Sequence, residues 1–272
     1  MKKILVQPSS LENLQDVLKT NIDGIILPLK HFSVNSSIYF SLDDIKSIMN
    51  LTSKEICISI NKIMENEDLK ELELALISLN KMNISKIFFY DLAVLNMVKR
   101  LNVKKELAIF QDHLNASSYS NAFYRRRGVD YSVITNDITK EEINEISKNN
   151  KLMLISYGYL PIFYSRRYLI SNYLKYINKN KDSDIYYIKN KEERYPIVEE
   201  EKGTTIYTSK PINLINELDN IEVEYIILNA NLTSRKDFIS ILNRYIANIH
   251  DEEEHYLGFI NRKTVYKVED YE

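Results

Sequence analysis

Short apolar runs alternate with longer amphipathic stretches along the whole chain. The runs at 4–6, 24–27, 56–60, 86–90, 107–110, 131–134, 152–155 and 225–228 are apolar on both faces, the pattern of strands covered on both sides in a parallel sheet. Between them, apolar residues recur at helical spacing. Leu11, Leu14, Val17 and Leu18 form one stripe and Leu69, Leu72, Leu76 and Leu79 another. The predicted helices cover 10–20, 41–49, 67–82, 92–101, 119–127, 139–148 and 234–248. Ser10 and Ser41 stand where N-caps belong, Thr139 followed by Glu142 makes a capping box, and Gly128 closes the fifth helix. Eight strands, nearly all followed by a helix, predict an α/β fold, a (β/α)8 TIM-like barrel. The alternative is an open doubly wound sheet, although no G-x-G-x-x-G follows the first strand as its dinucleotide-binding form requires.

The rhythm breaks once, between strands 7 and 8. Residues 184–188 and 195–199 alternate like two strands around a polar turn, and 204–208 reads as a third. A β-hairpin insertion at the catalytic face is expected there. The chain divides accordingly into a barrel at 1–160 and 220–250, an inserted subdomain at 161–219, and a C-terminal segment at 251–272 whose strand-like 264–268 is expected to pack on the insertion.

Composition narrows the function classes. The 272 residues carry a net charge of −2, so no global basic field advertises nucleic acid. Cys57 is the single cysteine, which excludes a disulfide framework, a cysteine-only zinc site and a four-cysteine iron–sulfur site within one chain. The opening MKKILVQPSS is too short in its apolar run for a signal peptide, and no run nears the roughly 18 apolar residues of a membrane span. A cytoplasmic location, away from membranes, is expected.

In a barrel of this type the chemistry sits where strands run out into loops. Those positions include Asn61, Asp91, Gln111, Asp112, His113, Asn115, Asp137 and Tyr157. The densest polar cluster is Gln111-Asp112-His113-Leu114-Asn115. His113 is the candidate for acid–base work because imidazole titrates near neutral pH, with Asp112 or Asp91 to orient it. Asp91 and Asp137 precede helices and read more readily as caps. His31, His113, His250 and His255 lack metal-binding spacing, so no metal site is expected. Neither G-x-S-x-G nor a phosphate-binding loop is present. Arg125-Arg126-Arg127 and Arg166-Arg167 are interleaved with Tyr157, Tyr159, Phe163, Tyr164, Tyr168 and Tyr173. Guanidinium groups beside stacking faces suit an anionic ligand or an unpaired nucleotide; the alternatives are a solvated helix end and aromatic packing.

Several stretches, taken in order, resemble peptidase family U32, the collagenase-like peptidases, which also contains tRNA- and ubiquinone-hydroxylation proteins. FSLDDIKSI is similar to the family's Phe-Ser step. FFYDLAVLNMVKR matches its Asp-Leu segment through Asp91. FQDHLNASSYSNAFYRRRGVDYSVITNDITKEEI resembles its most recognisable block, with Asn115 and Asn121 on the polar positions and Asp137 for the usual Glu. Tyr157-Gly158 stands at the family's His-Gly pair, and GFINRKTVYKV resembles the closing segment of short members. The resemblance implies a cluster-free component of a tRNA wobble-uridine hydroxylation system, since hydroxylating relatives use four cysteines that are missing here. A U32-type peptidase, or a non-catalytic scaffold for a longer U32 homologue, are the alternatives; tRNA and that longer homologue are the implied partners, and no cofactor is expected. The candidate catalytic residues are His113, Asp91 and Asn115. The candidate substrate contacts are Gln111, Asn61, Asn121, Tyr157, Arg166 and Arg167.

Overall fold

The computed structural model describes residues 2–250 and 252–262. β1 (Lys3–Gln7) leads to α1 (Leu11–Leu18), β2 (Gly24–Pro28) to α2 (Leu42–Met49), β3 (Glu55–Ile60) to α3 (Leu69–Lys81) and β4 (Lys86–Phe89) to α4 (Leu92–Arg100). β5 (Glu106–Phe110) leads to α5 (Ser118–Arg126) and β6 (Tyr131–Ile134) to α6 (Lys140–Ser147). After β7 (Leu152–Gly158) the chain leaves for β8 (Pro161–Ser165), α7 (Leu169–Tyr176), β9 (Ile185–Asn190), β10 (Glu193–Glu200) and β11 (Gly203–Tyr207). It returns through β12 (Ile212–Asn213) to β13 (Tyr225–Asn229) and α8 (Arg235–Ala247). β1 to β7 and β13 pair in parallel around a ring that closes through β6–β7, β7–β13 and β13–β1. A closed ring leaves no sheet edge, so both faces of each strand can be apolar: every residue of β2, for example, is buried.

The caps read from the sequence are present. Ser10, Ser41 and Thr139 accept from the backbone N–H groups of Asn13, Asp44 and Glu142, and the last two complete capping boxes. Each such cap contributes about 1 kcal/mol.

The floor of the barrel is ionic. Lys3, Glu55, Lys86, Glu106, Tyr131 and Tyr225 are the first residues of six ring strands. Lys86 is 2% exposed, with its Nζ 2.6 Å from Glu55 and 3.0 Å from Glu106. The same Nζ lies 4.9 Å and 5.4 Å from the ring centres of Tyr225 and Tyr131, which meet edge to face. Lys3 takes the other oxygen of Glu55 at 3.2 Å.

The insertion exceeds a hairpin. It is a four-stranded antiparallel sheet in the order β8-β11-β10-β9, with α7 laid on one face through Ile170 and Leu174 against Ile197. The extra members, β8 and α7, lie in the stretch the sequence presents as a site wall. β8 keeps Ile162 and Phe163 exposed, so it lacks the inside–outside alternation of a surface strand. The insertion is pinched at its base, where β12 pairs with the end of β7, Ile212 opposite Gly158 and Asn213 opposite Tyr157. Gly158 has φ +134°, and a Cβ there would sit 2.8 Å from the Asn229 carbonyl oxygen, so no larger residue fits without displacement. Of the C-terminal segment, Tyr256 bridges to Ile212 and the carbonyl of Ile260 accepts from the Lys140 N–H at 3.0 Å. The strand expected at 264–268 lies outside the described residues.

Candidate active site at the barrel mouth

The C-terminal ends of the ring strands face the inserted sheet, which is tied down at two points. The first is the β2–α2 loop. The Glu200 carboxylate accepts from the Asn35 N–H at 3.3 Å and from the Tyr39 hydroxyl, and Thr205 Oγ1 donates to Asn35 Oδ1 at 2.5 Å. Burial raises Glu200 above the usual carboxylate range against the pull of those hydrogen bonds.

The second tie is His113. Its Nδ1 lies 2.6 Å from Asp137 Oδ2 and its Nε2 lies 3.1 Å from the Pro161 carbonyl oxygen at the start of β8. Both partners are acceptors, an arrangement that only the doubly donating imidazolium satisfies in full. The hydrogen bond that His113 donates to Asp137 raises the His113 pKa, more than burial lowers it. Burial resists ionisation of Asp137, but hydrogen bonds from His113 and Thr135 outweigh it and hold that carboxyl below its ordinary value. In its charged form His113 is therefore a strut joining the loops after β5 and β6 to the insertion, with both nitrogens occupied.

Asp112 is the carboxyl with open chemistry. It lines two adjoining cavities, one floored by Phe110, Thr135 and Asn136, the other a mouth of about 360 Å³ walled by Asn61, Tyr90, Leu114, Phe163 and Tyr164. Burial pushes its pKa up to about 6, while the His113 cation pulls it down and Asp137 adds to the rise. Among the described residues no hydrogen bond reaches its carboxyl group. A carboxyl half-protonated near pH 6 beside a fixed cation can give or take a proton under mild conditions.

The other sequence candidates divide by task. Asn61 lines the mouth, yet its amide is spent on both backbone groups of Val34, at 2.9 and 3.0 Å. Gln111 joins the Tyr90 carbonyl to the Tyr124 hydroxyl. Asn115 is fully buried, donating to the Val133 carbonyl and accepting from Asn121 at 2.8 Å. Asp91 caps α4 through the Ala93 N–H and also accepts from the Met64 N–H. These four hold the loops in place beneath and beside the mouth. Tyr157 is buried, its ring 6.0 Å from Phe238 of α8 and its hydroxyl 3.4 Å from that of Thr233. Arg166 pairs with Glu65 on the rim, and Arg167 is exposed on the insertion.

Asp91 and Asp112, the partners expected for His113, do not bond it; Asp137 does. The residues that sequence reasoning left out are Asp112 as the open carboxyl, Asp137 as the partner of His113, and Glu200 with Tyr39. One signal pointed to the second: consecutive parallel strands end side by side, so the loops after β5 and β6 must meet. Tyr39 and Glu200 are 161 residues apart, and nothing local links them. The donor set does not fit a four-cysteine cluster, because Cys57 is fully buried on β3 beside Ser85 and burial pushes its thiol up to about 12. No described helix is long and apolar enough to cross a membrane.

The chain resembles a solved N-(5'-phosphoribosyl)anthranilate isomerase from Pyrococcus furiosus with a TM-score of 0.54 over 92% of this chain and all of that one; at 9% identity the likeness speaks to the barrel alone. It is 25% identical over 236 residues to tRNA hydroxylation protein P2 of Bacillus subtilis (strain 168), which spans 81% of this chain and 76% of that protein. The model of peptidase family U32 matches residues 9–267, nearly end to end, so the chain belongs to that family.

Proposed function

We propose that this chain serves in tRNA hydroxylation as a cytoplasmic component without a cluster of its own. The observation that carries the reading is the likeness to tRNA hydroxylation protein P2 across most of both chains. The mouth supports it chemically. Tyr90, Phe163 and Tyr164 offer flat faces to an unpaired base, Asp112 handles a proton, and the His113 imidazolium supplies a fixed positive charge beside it. The redox step belongs to a second, longer U32 chain that carries the cysteines this one lacks. A peptidase role has less behind it, since the sole thiol is sealed in the core and no described hydroxyl is bonded to His113.

The test is genetic and chemical. Deleting the gene and digesting total tRNA for nucleoside mass spectrometry should show loss of the hydroxylated wobble uridine. Wild-type chain restores it, and Asp112→Asn does not. Unchanged hydroxylation in the deletion strain refutes the proposal.

A further inference from the structure

We infer that α7 and the residues flanking it are the surface on which RNA docks before a base enters the mouth, an inference that rests on the tRNA reading above. Residues 166–181 contain Arg166, Arg167, Lys175, Lys179 and Lys181 and no Asp or Glu, in a chain whose net charge is −2. Among the described residues only Arg166 of these five is in an ion pair, with Glu65. Glu199 is already engaged, accepting from the backbone N–H groups of Ile170 and Ser171 at the first turn of α7, and Asp182, just past Lys181, accepts from the Tyr186 hydroxyl. Charge here is thus locally positive and mostly unpaired, which suits a polyanion.

The apolar pattern makes the polyanion a nucleic acid. α7 buries Ile170 and Leu174 against the inserted sheet and turns Tyr173 and Tyr176 outward, 62% and 84% exposed. Three residues apart, they share one helix face. Tyr168 stands beside them, half-exposed, with its hydroxyl anchored to the Glu201 carbonyl at 2.7 Å. Among the described residues Tyr173 and Tyr176 are left largely uncovered. Aromatic faces interleaved with cations are what a single-stranded or looped RNA uses for stacking and phosphate contact. The path also fits: β8 runs from the mouth, where Ile162 and Phe163 line the cavity, directly into α7, and Arg166 marks the rim between them.

The probe is a synthetic stem–loop RNA with an unpaired loop, and the same sequence annealed as a full duplex, titrated into the full-length protein by fluorescence anisotropy. The loop RNA should bind more tightly than the duplex. Tyr173→Ala with Tyr176→Ala should weaken loop binding by about tenfold or more while sparing the duplex. Lys175→Glu with Lys179→Glu should weaken both, and should flatten the plot of log affinity against log salt by about one unit or more. Unchanged circular dichroism shows that these surface changes leave the fold intact. Wild-type protein that binds no RNA, or variants that bind like wild type, overturns the inference. So does a tyrosine variant that loses a protein partner but keeps RNA, because the face is then a protein interface. The nucleoside assay answers separately: lost RNA binding with tRNA hydroxylation still dependent on the gene removes this surface alone, and RNA binding at α7 with hydroxylation independent of the gene removes the functional reading alone.

Discussion

Replacing Lys86 by Met on the barrel floor keeps the length of the side chain and removes the charge at the centre of a buried network. Glu55 keeps Lys3 at 3.2 Å as its cation and the Tyr225 hydroxyl at 3.2 Å as a neutral donor, while Glu106, 46% exposed, is rehydrated. Removing one partner of a buried ion pair costs about 3–5 kcal/mol, most of it from the stranded opposite charge. The exposure of Glu106 lowers the expectation to about 2–4 kcal/mol. Equilibrium urea unfolding followed by circular dichroism should show that loss as a lower midpoint with an unchanged slope. Adding Glu55→Gln should return most of the stability, because no buried carboxylate is then left short of a cation. The pH dependence follows from the two partners. Burial opposes the charge on Glu55, but the bond from Lys86 wins and holds it below 4.5, so its contribution is complete above that value and fades as pH falls through the folded value. Burial likewise opposes the charge on Lys86, and the Glu55 bond overrides it, raising the pKa above 10.5, so that contribution is complete below 10.5 and fades only at higher pH. The loss in Lys86→Met should therefore be flat from about pH 5 to 10. A loss under 1 kcal/mol, or no recovery in the double variant, would refute the account.

Asp112→Asn should raise stability at pH 8 while abolishing hydroxylation. A carboxyl lifted from 3.8 to about 6 penalises the folded state once ionised, so the penalty is absent below 3.8 and complete above about 6. The gain at pH 8, about 1–3 kcal/mol, should vanish near pH 3.5 in urea titrations. His113→Ala should speed hydrogen exchange across β8, because the Pro161 carbonyl loses its donor; wild-type protein should show the same loosening as pH rises above 6.5 through the raised His113 value. Gly158→Ala should cost about 2–4 kcal/mol by thermal melting, from positive φ and a backbone clash together. Gly128→Ala, with φ +78° and nothing within 4 Å, should cost only about 1 kcal/mol.

The barrel was legible because its signals are local. Apolar runs, caps at Ser10, Ser41 and Thr139, and regular spacing follow from burial and from the backbone groups a helix end leaves unpaired. The inserted sheet was partly legible: β9, β10 and β11 alternate, while β8 and the outer side of α7 carry exposed apolar and aromatic residues that read as a ligand surface rather than as a strand and a helix. The candidate site was the least legible part. Polar residues at strand ends were found, but position could not separate Asn115, which sustains a loop, from Asp112, which faces open space. That distinction depends on contacts made across the mouth, where His113 meets Asp137 on one side and the Pro161 carbonyl on the other. Helix capping by Asp91 was weighed from sequence and is what the structure contains.

The two-stranded neck at Gly158 and Ile212 has a consequence for how such proteins diversify. Because the inserted sheet departs and rejoins through one narrow collar, its contents can lengthen, shrink or be exchanged wholesale while every hoop of the barrel keeps its neighbours. A short turn grafted between Tyr157 and Asn213 should yield a minimal barrel, and the same junction should accept a different inserted element without disturbing the ring.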